Sequence, residues 1–161
     1  MSINQKGFTI VELLIVIVVI GILAAITIVA FNGVQTRGKF AKVSQDLKSM
    51  QKLIELYKAD NGEYPITPSP PGWLRSHANP DDFIPGIVPK YAPSLPRYTW
   101  STPASAHAYL YRSDGTEYKL IRLGQPLQPG EAALVPDSMK DGYWATIQDR
   151  YGYWSPGGYG L

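Results

Sequence analysis

The apolar residues of this chain follow three successive patterns, and the first is nearly continuous. From Phe8 to Phe31 the only charged residue is Glu12. A helix of this length spans ~36 Å at ~1.5 Å per residue, which exceeds the ~30 Å hydrocarbon core of a bilayer. The pattern therefore predicts a membrane-spanning helix. A cleavable secretory signal is the main alternative, but the run is long for a signal core and has no clear small-residue cleavage site followed by a polar start.

The second pattern is amphipathic and follows the first directly. Apolar residues recur at intervals of three and four, which places them on one face of an α-helix. These residues are Phe40, Val43, Leu47, Met50, Ile54 and Tyr57. We expect the helix to end near Ala59, because Gly62 readily adopts the left-handed conformation that caps helices. The apolar stripe either packs on the rest of the chain, which we favour, or binds a partner as a coiled coil.

The third pattern is a region of turns and short strands. All 14 prolines lie at or after Pro65, so only the part before it can form one uninterrupted helix. The segment from Tyr64 to Pro103 predicts an extended, proline-punctuated connection. Within this connection, Asn79 and the residues after it have the composition of a helical turn.

Two β-hairpins are predicted in the last third of the chain. The segments AHAYLYR and EYKLIRL flank the turn residues Asp114 and Gly115. The segments GYWATIQ and RYGYWS predict a second pair. Together they indicate an antiparallel sheet of about four strands that covers the amphipathic part of the helix, an α+β fold. The aromatic residues of segment 143–159 are either buried in this head, as we expect, or form an exposed adhesive or subunit-contact patch.

Composition narrows the classes of function. The chain has 15 basic and 13 acidic residues, so its net charge of +2 indicates no specific nucleic-acid partner. It has no cysteine, which excludes disulfides, thiolate metal sites and a cysteine nucleophile. His77 and His107 are isolated from any nucleophile or metal motif. We therefore expect no catalytic activity.

The segment KGFTIVELLIVIVVIGILAAI, from Lys6 to Ile26, resembles the class III signal of type IV pilins and the related pseudopilins. Such a signal has a short basic leader that ends in glycine, here Gly7. Phe8 follows the glycine, and Glu12 is the fifth residue after it. The resemblance implies that a membrane prepilin peptidase cleaves after Gly7 and methylates the new amine of Phe8.

A second segment, LIELYKADNGEYPIT from Leu53 to Thr67, is similar to the helix end shared by pilins and the major pseudopilins of secretion systems. The resemblance implies the pilin fold, a long N-terminal helix packed on a β-rich head. It divides the chain into a leader, 1–7, a transmembrane and filament-core half, 8–31, an amphipathic half, 32–60, and a head, 61–161. It also implies a single-pass precursor in the cytoplasmic membrane and an extracellular pilus after assembly.

Glu12 has a physical role in this interpretation. A carboxylate inside the bilayer costs ~2.5–3.5 kcal/mol on insertion scales, whereas an amine ~4 Å away returns ~4 kcal/mol at an effective dielectric constant near 20. The amine of the same chain cannot reach Glu12 without breaking the first helical turn. We therefore predict that Glu12 pairs with the Phe8 amine of a neighbouring subunit. The alternative is that Glu12 extends to the headgroups from the helix end.

Glycines mark the weakest points of the predicted helix. Each costs up to ~1 kcal/mol relative to alanine, so local unwinding is expected near Gly21 and Gly33. Many pilins carry a proline that promotes such unwinding, and this chain has Val29 in its place.

Calcium is the one metal that the resemblance suggests, because major pseudopilins bind it in their C-terminal loops. Asp137, Asp141 and Asp149 are the candidate ligands, but their spacing matches no known calcium loop and the aspartate-proline-tryptophan-glycine run of the family is absent. We therefore expect no cofactor, with calcium as the open alternative.

These observations favour a structural subunit of a type IV pilus. Its partners would be further copies of itself in a helical homopolymer, the prepilin peptidase, an assembly platform in the membrane and, before assembly, lipid. One alternative is a pseudopilin of a type II secretion or competence system. An alternative of another class is a single-pass, membrane-anchored binding domain.

Overall fold

A computed structural model describes residues 7–68, 72–78, 80–98, 107–124, 130–142 and 150–161. Its largest element is helix α1, Ile10–Asn61, with 52 residues. The helix ends just beyond the predicted position, at Gly62, whose φ of 81° is left-handed and whose N–H donates to Lys58 O at 2.8 Å. A side chain at this φ would be strained, so glycine is the residue that lets the chain leave the helix here.

The head contains one antiparallel sheet with the strand order β1-β2-β3-β4. The strands are β1 Leu74–Arg75, β2 His107–Ser113, β3 Tyr118–Gly124 and β4 Arg150–Trp154. Three short 3₁₀ helices complete the described part of the head: Ala132–Leu134, Asp137–Met139 and Gly158–Gly160. The predicted α+β layout, a long N-terminal helix on a small antiparallel sheet, is confirmed.

The first predicted hairpin is formed by β2 and β3. Asp114 Oδ1 accepts the backbone N–H groups of Thr116 and Glu117, both at 2.9 Å, and Gly115 has a φ of 92°. These two bonds lower the pKa of Asp114, because they stabilise the ionised carboxylate.

The other half of the sheet differs from the prediction. The segment RYGYW forms β4, which pairs with β3, whereas residues 143–148 of its predicted hairpin partner lie outside the described residues. A further strand comes from Leu74–Arg75, inside the segment predicted as a connection, and pairs with β2. Asn79 is also outside the described residues, and residues 80–86 form turns and bends instead of a helical turn.

The amphipathic stripe of α1 packs on the sheet, as predicted. Leu47, Met50 and Ile54 are fully buried and share one apolar cluster with residues of β2, β3 and β4. Asp46 is also buried on this face, although charged residues of an amphipathic helix are expected on its solvent-facing side. Tyr109 Oη donates to Asp46 Oδ2 at 2.8 Å, and the Lys42 ammonium pairs with the same carboxylate. Burial and the nearby carboxylate raise the pKa of Tyr109, so it remains a neutral donor.

The described aromatic residues near the end of the chain differ in burial, so neither the buried nor the exposed expectation holds for all of them. Tyr151 is fully buried against Phe40, Tyr153 and Trp154 are half-buried, and Tyr159 is 52% exposed. Tyr143 and Trp144 lie outside the described residues.

Candidate assembly site

The first turn of α1 is fixed by a reciprocal pair of hydrogen bonds. Thr9 is the N-cap, and its Oγ1 accepts the Glu12 N–H at 3.2 Å. Glu12 Oε2 in turn accepts the Thr9 backbone N–H at 2.9 Å and the Thr9 hydroxyl at 2.7 Å. This is a capping box, in which two side chains satisfy N–H groups that have no partner within the helix.

Glu12 therefore has a local structural role that the sequence analysis did not assign. The signal was present, because a threonine followed three residues later by a glutamate, just before an apolar run, indicates a helix start. Both bonds to the carboxylate end at Oε2. A carboxylate has two acceptor oxygens, so Oε1 can accept a further donor while the capping box stays formed.

The predicted processing site lies just before the helix. Gly7, Phe8 and Thr9 are outside regular secondary structure, and Phe8 is 83% exposed. Apart from its chain neighbours, no described residue has a heavy atom within 4 Å of the position that a Cβ on Gly7 would take. A peptidase can therefore reach this backbone without unfolding any element. Lys6 lies outside the described residues, and cleavage after Gly7 with methylation of Phe8 stays a prediction.

The helix beyond this turn exposes apolar side chains on every side. All residues from 10 to 34 are exposed, and α1 is the one helix in the described part of the chain that is long and apolar enough to cross a membrane, with a peak mean hydropathy of 3.3. A helix that is apolar all round is stable only when lipid or other helices surround it.

The predicted unwinding points lie inside continuous helix in this single chain. Gly21 and Gly33 each have open space where a Cβ would stand. Between them, Thr27 Oγ1 donates to Leu23 O and Ala24 O, both at 2.9 Å. Unwinding at Gly21 or Gly33 within a filament stays a prediction.

The two candidate calcium ligands that the structure describes, Asp137 and Asp141, pair with different lysines. Asp137 is 94% exposed and pairs with Lys140 Nζ at 2.5 Å, an interaction that lowers the pKa of Asp137. Asp141 is buried and pairs with Lys119 Nζ at 2.8 Å. Asp149 lies outside the described residues, and the rest of the described chain holds no cluster of three metal-binding side chains. Asp137 and Asp141 are thus each paired with a lysine, and the expectation of no cofactor, with calcium as the alternative, stays a prediction.

The two histidines, His77 and His107, differ in burial. His77 is exposed in the turn after β1. His107 begins β2, is buried, and stacks on Tyr98 with ring centroids 5.3 Å apart. Stacking of this kind stabilises the packing of the head.

Comparison with known proteins identifies the N-terminal segment. The family described as "Prokaryotic N-terminal methylation motif" matches residues 3–28. Type II secretion system core protein G of Klebsiella pneumoniae is 27% identical over 156 residues, which are 96% of this chain and 97% of the relative. The Dickeya chrysanthemi protein of the same name is 28% identical over 157 residues, 96% of this chain and 89% of the relative. The Escherichia coli protein of that name is 35% identical over 64 residues, 40% of this chain and 44% of the relative.

No solved structure matches the chain significantly. The resemblance to type IV pilins and pseudopilins is confirmed by the motif and the relatives. The matched motif and the names of the relatives are those of pilin-like structural proteins and not of enzymes, and the N-terminal helix of this chain is suited to membrane anchoring. The relatives carry the name of a secretion system, so the comparisons favour the pseudopilin alternative over the type IV pilus.

Proposed function

We propose that this chain is a pseudopilin, a structural subunit of the filament of a type II secretion system. The observation that supports this best is similarity along almost the whole chain to proteins named type II secretion system core protein G. The similarity includes the head. Subunits of type IV pili and of secretion filaments can share the N-terminal motif and still have different heads, so similarity in the head favours the secretion filament. The N-terminal motif alone would fit either filament.

The subunit would assemble through its N-terminal turn. After removal of residues 1–7, the amine of Phe8 becomes a cation at the end of an exposed, extended segment. Glu12 lies one helical turn further in, with Oε2 in the capping box. In our proposal the Phe8 amine of one subunit docks at Glu12 Oε1 of its neighbour, so that the capping box and the intersubunit pair form together.

The two halves of α1 would then have different tasks. The exposed half, 8–31, lies in lipid before assembly and among neighbouring helices afterwards. The amphipathic half carries the head, because its buried stripe is already packed on the sheet. The partners are the prepilin peptidase, an assembly platform in the inner membrane and other copies of the chain. The filament would extend into the periplasm, and no cofactor takes part.

Gene deletion in the organism that encodes the chain tests this proposal. We expect loss of exoprotein secretion into the medium, normal surface pili, and recovery of secretion when the wild-type gene is restored. If secretion persists while surface pili disappear, the chain is a type IV pilus subunit instead. If the deletion changes neither secretion nor surface pili, the chain is an anchored binding domain instead.

N-terminal mass spectrometry of the membrane-associated chain is the companion measurement. A mature chain that begins with methylated Phe8 is expected. An intact Met1 would contradict processing and, with it, assembly through Glu12.

A further inference from the structure

Lys119 is a fully buried lysine at the centre of the head. It lies in β3, and its side chain is 2% exposed. A buried ammonium is unfavourable unless it is paired and hydrogen-bonded, because burial removes its hydration. The structure shows how this charge is balanced.

Three oxygens surround the Lys119 ammonium. Asp141 Oδ1 lies 2.8 Å from Nζ, and the side chain of Asp141 is 1% exposed. The Tyr159 carbonyl oxygen accepts a hydrogen bond at 2.8 Å, and the Leu161 carbonyl oxygen lies at 3.4 Å. The ammonium thus donates to the main-chain oxygens of Tyr159 and Leu161 and lies at ion-pair distance from the Asp141 carboxylate.

These oxygens come from segments that are far apart in the chain. Asp141 follows the 3₁₀ helix Asp137–Met139, whereas Tyr159 lies in the 3₁₀ helix Gly158–Gly160. One cation therefore ties two loop segments to a central strand. The rings of Trp154 and Tyr159 lie 5.9 and 5.5 Å from Nζ, close enough for a favourable cation–π contact.

We infer that the Lys119 ammonium takes the structural role of a bound metal ion and makes the head independent of divalent cations. One carboxylate and backbone carbonyl groups are the oxygen types that calcium prefers. A calcium ion could not share Asp141 with Lys119, because the ammonium already lies at contact distance and the two cations would repel each other. The inference concerns the head alone and does not rest on the proposed function.

The first test compares the wild-type chain with and without calcium. The full chain in detergent micelles is heated in 5 mM EDTA and in ~5 mM calcium chloride, with tryptophan fluorescence as the readout. We expect the two Tm values to agree within about 1 °C. A Tm that rises by several degrees in calcium, and falls again in EDTA, would overturn the inference, because binding to the folded state alone produces such a shift.

The second test removes the ammonium. In Lys119→Met the Asp141 carboxylate is left buried and unpaired, and we expect Tm to fall by at least about 10 °C. Lys90→Met is the matched control, because Lys90 pairs with Asp60 at 3.6 Å with both side chains exposed, and its Tm should change by less than about 2 °C.

Hydrogen exchange shows which segment loses stability when the Lys119 ammonium is removed. If Lys119→Met does not fold, the same measurement on the wild-type chain still tests the inference. In wild-type chain, the amides of Gly158 and Leu161, which donate to Ser155 O and Gly158 O, should be equally protected in EDTA and in calcium. In folded Lys119→Met these amides should exchange at least tenfold faster. Unchanged Tm and unchanged exchange in that variant would show that the ammonium does not tie this segment to the sheet.

Discussion

Replacing Glu12 by glutamine separates the two roles that the structure and the sequence give to this residue. A glutamine at the third helical position can still accept the Thr9 N–H and so preserve the capping box, but it carries no charge. Thr9→Ala is the complementary change. It removes the hydroxyl that bonds both the Glu12 N–H and the Glu12 carboxylate, while the charge stays in place.

The two variants differ in the free energy that they remove. Loss of an N-cap costs ~1 kcal/mol, and this cost falls on the subunit in the membrane and in the filament alike. An ion pair at ~4 Å and an effective dielectric constant near 20 contributes ~4 kcal/mol, and only in the assembled state. Glu12→Gln should therefore weaken each subunit contact by roughly three orders of magnitude, and Thr9→Ala by less than about tenfold.

Filament yield measures this difference. Each variant is expressed in a strain that lacks the native gene, and filaments in the isolated cell envelope are quantified by chemical cross-linking and immunoblot. Membrane fractions are analysed by N-terminal mass spectrometry, so that a failure of processing is not mistaken for a failure of assembly. We expect filaments from wild-type and Thr9→Ala and none from Glu12→Gln, with all three processed. Filaments from processed Glu12→Gln at wild-type yield would refute the pairing and leave capping as the role of Glu12.

Three further predictions concern the head. Leu47→Ala should destabilise the chain by ~2–5 kcal/mol in urea unfolding, because Leu47 is fully buried between α1 and the sheet, whereas Leu56→Ala on the exposed face should cost under ~1 kcal/mol. Tyr109→Phe should cost ~1–3 kcal/mol by the same assay, because the buried Asp46 carboxylate loses a donor; an unchanged midpoint would contradict this. The pKa of Asp114 is lowered from its ordinary 3.8, so its contribution is present above pH 3.8 and lost as pH falls through the lower folded value. The stability difference between wild type and Asp114→Ala should therefore shrink only below about pH 3.8, and an equal difference at all pH values would exclude this cause.

The elements that the sequence predicts well are those fixed by neighbouring residues. The extent of α1 follows from a long apolar run that continues into a helical period of 3.6, from the absence of proline and from a glycine stop. The hairpin of β2 and β3 follows from the Asp114-Gly115 turn between two strand-like segments. In both cases the interactions that decide the structure lie within a few residues, so a local pattern is sufficient.

The remaining strands depend on distant contacts. β1 has two residues, too few for any alternation to be recognised, and exists because it pairs with β2. β4 was predicted as a strand, but its pairing with β3 joins residues that are distant in the chain, and no local sequence pattern predicts such a pairing.

Buried charges were the least predictable feature of the head. Lys119 and Arg122 lie in a strand that is buried on both faces, against the expectation that charged residues face solvent. Their carboxylate partners, Asp141 and Glu131, lie outside the hairpin. A buried charge is tolerable only when it is paired, and here the partners are distant in the chain. The sequence of β3 alone therefore does not indicate that Lys119 and Arg122 are buried.

The environment of α1 explains why a polar residue should direct assembly. Moving the apolar half of the helix from lipid to a bundle of similar helices changes its hydrophobic surroundings little, because lipid tails and leucine side chains are about equally apolar. Hydrophobic burial therefore cannot set the axial position of one subunit against the next. In the proposed assembly Glu12 sets this position, because its charge is poorly solvated in lipid and would be matched by the Phe8 amine at a single position of the neighbouring chain. A helix with uniform apolar sides and one carboxylate in its first turn would then be free to slide in the membrane as a monomer and would be held in one register in the proposed filament.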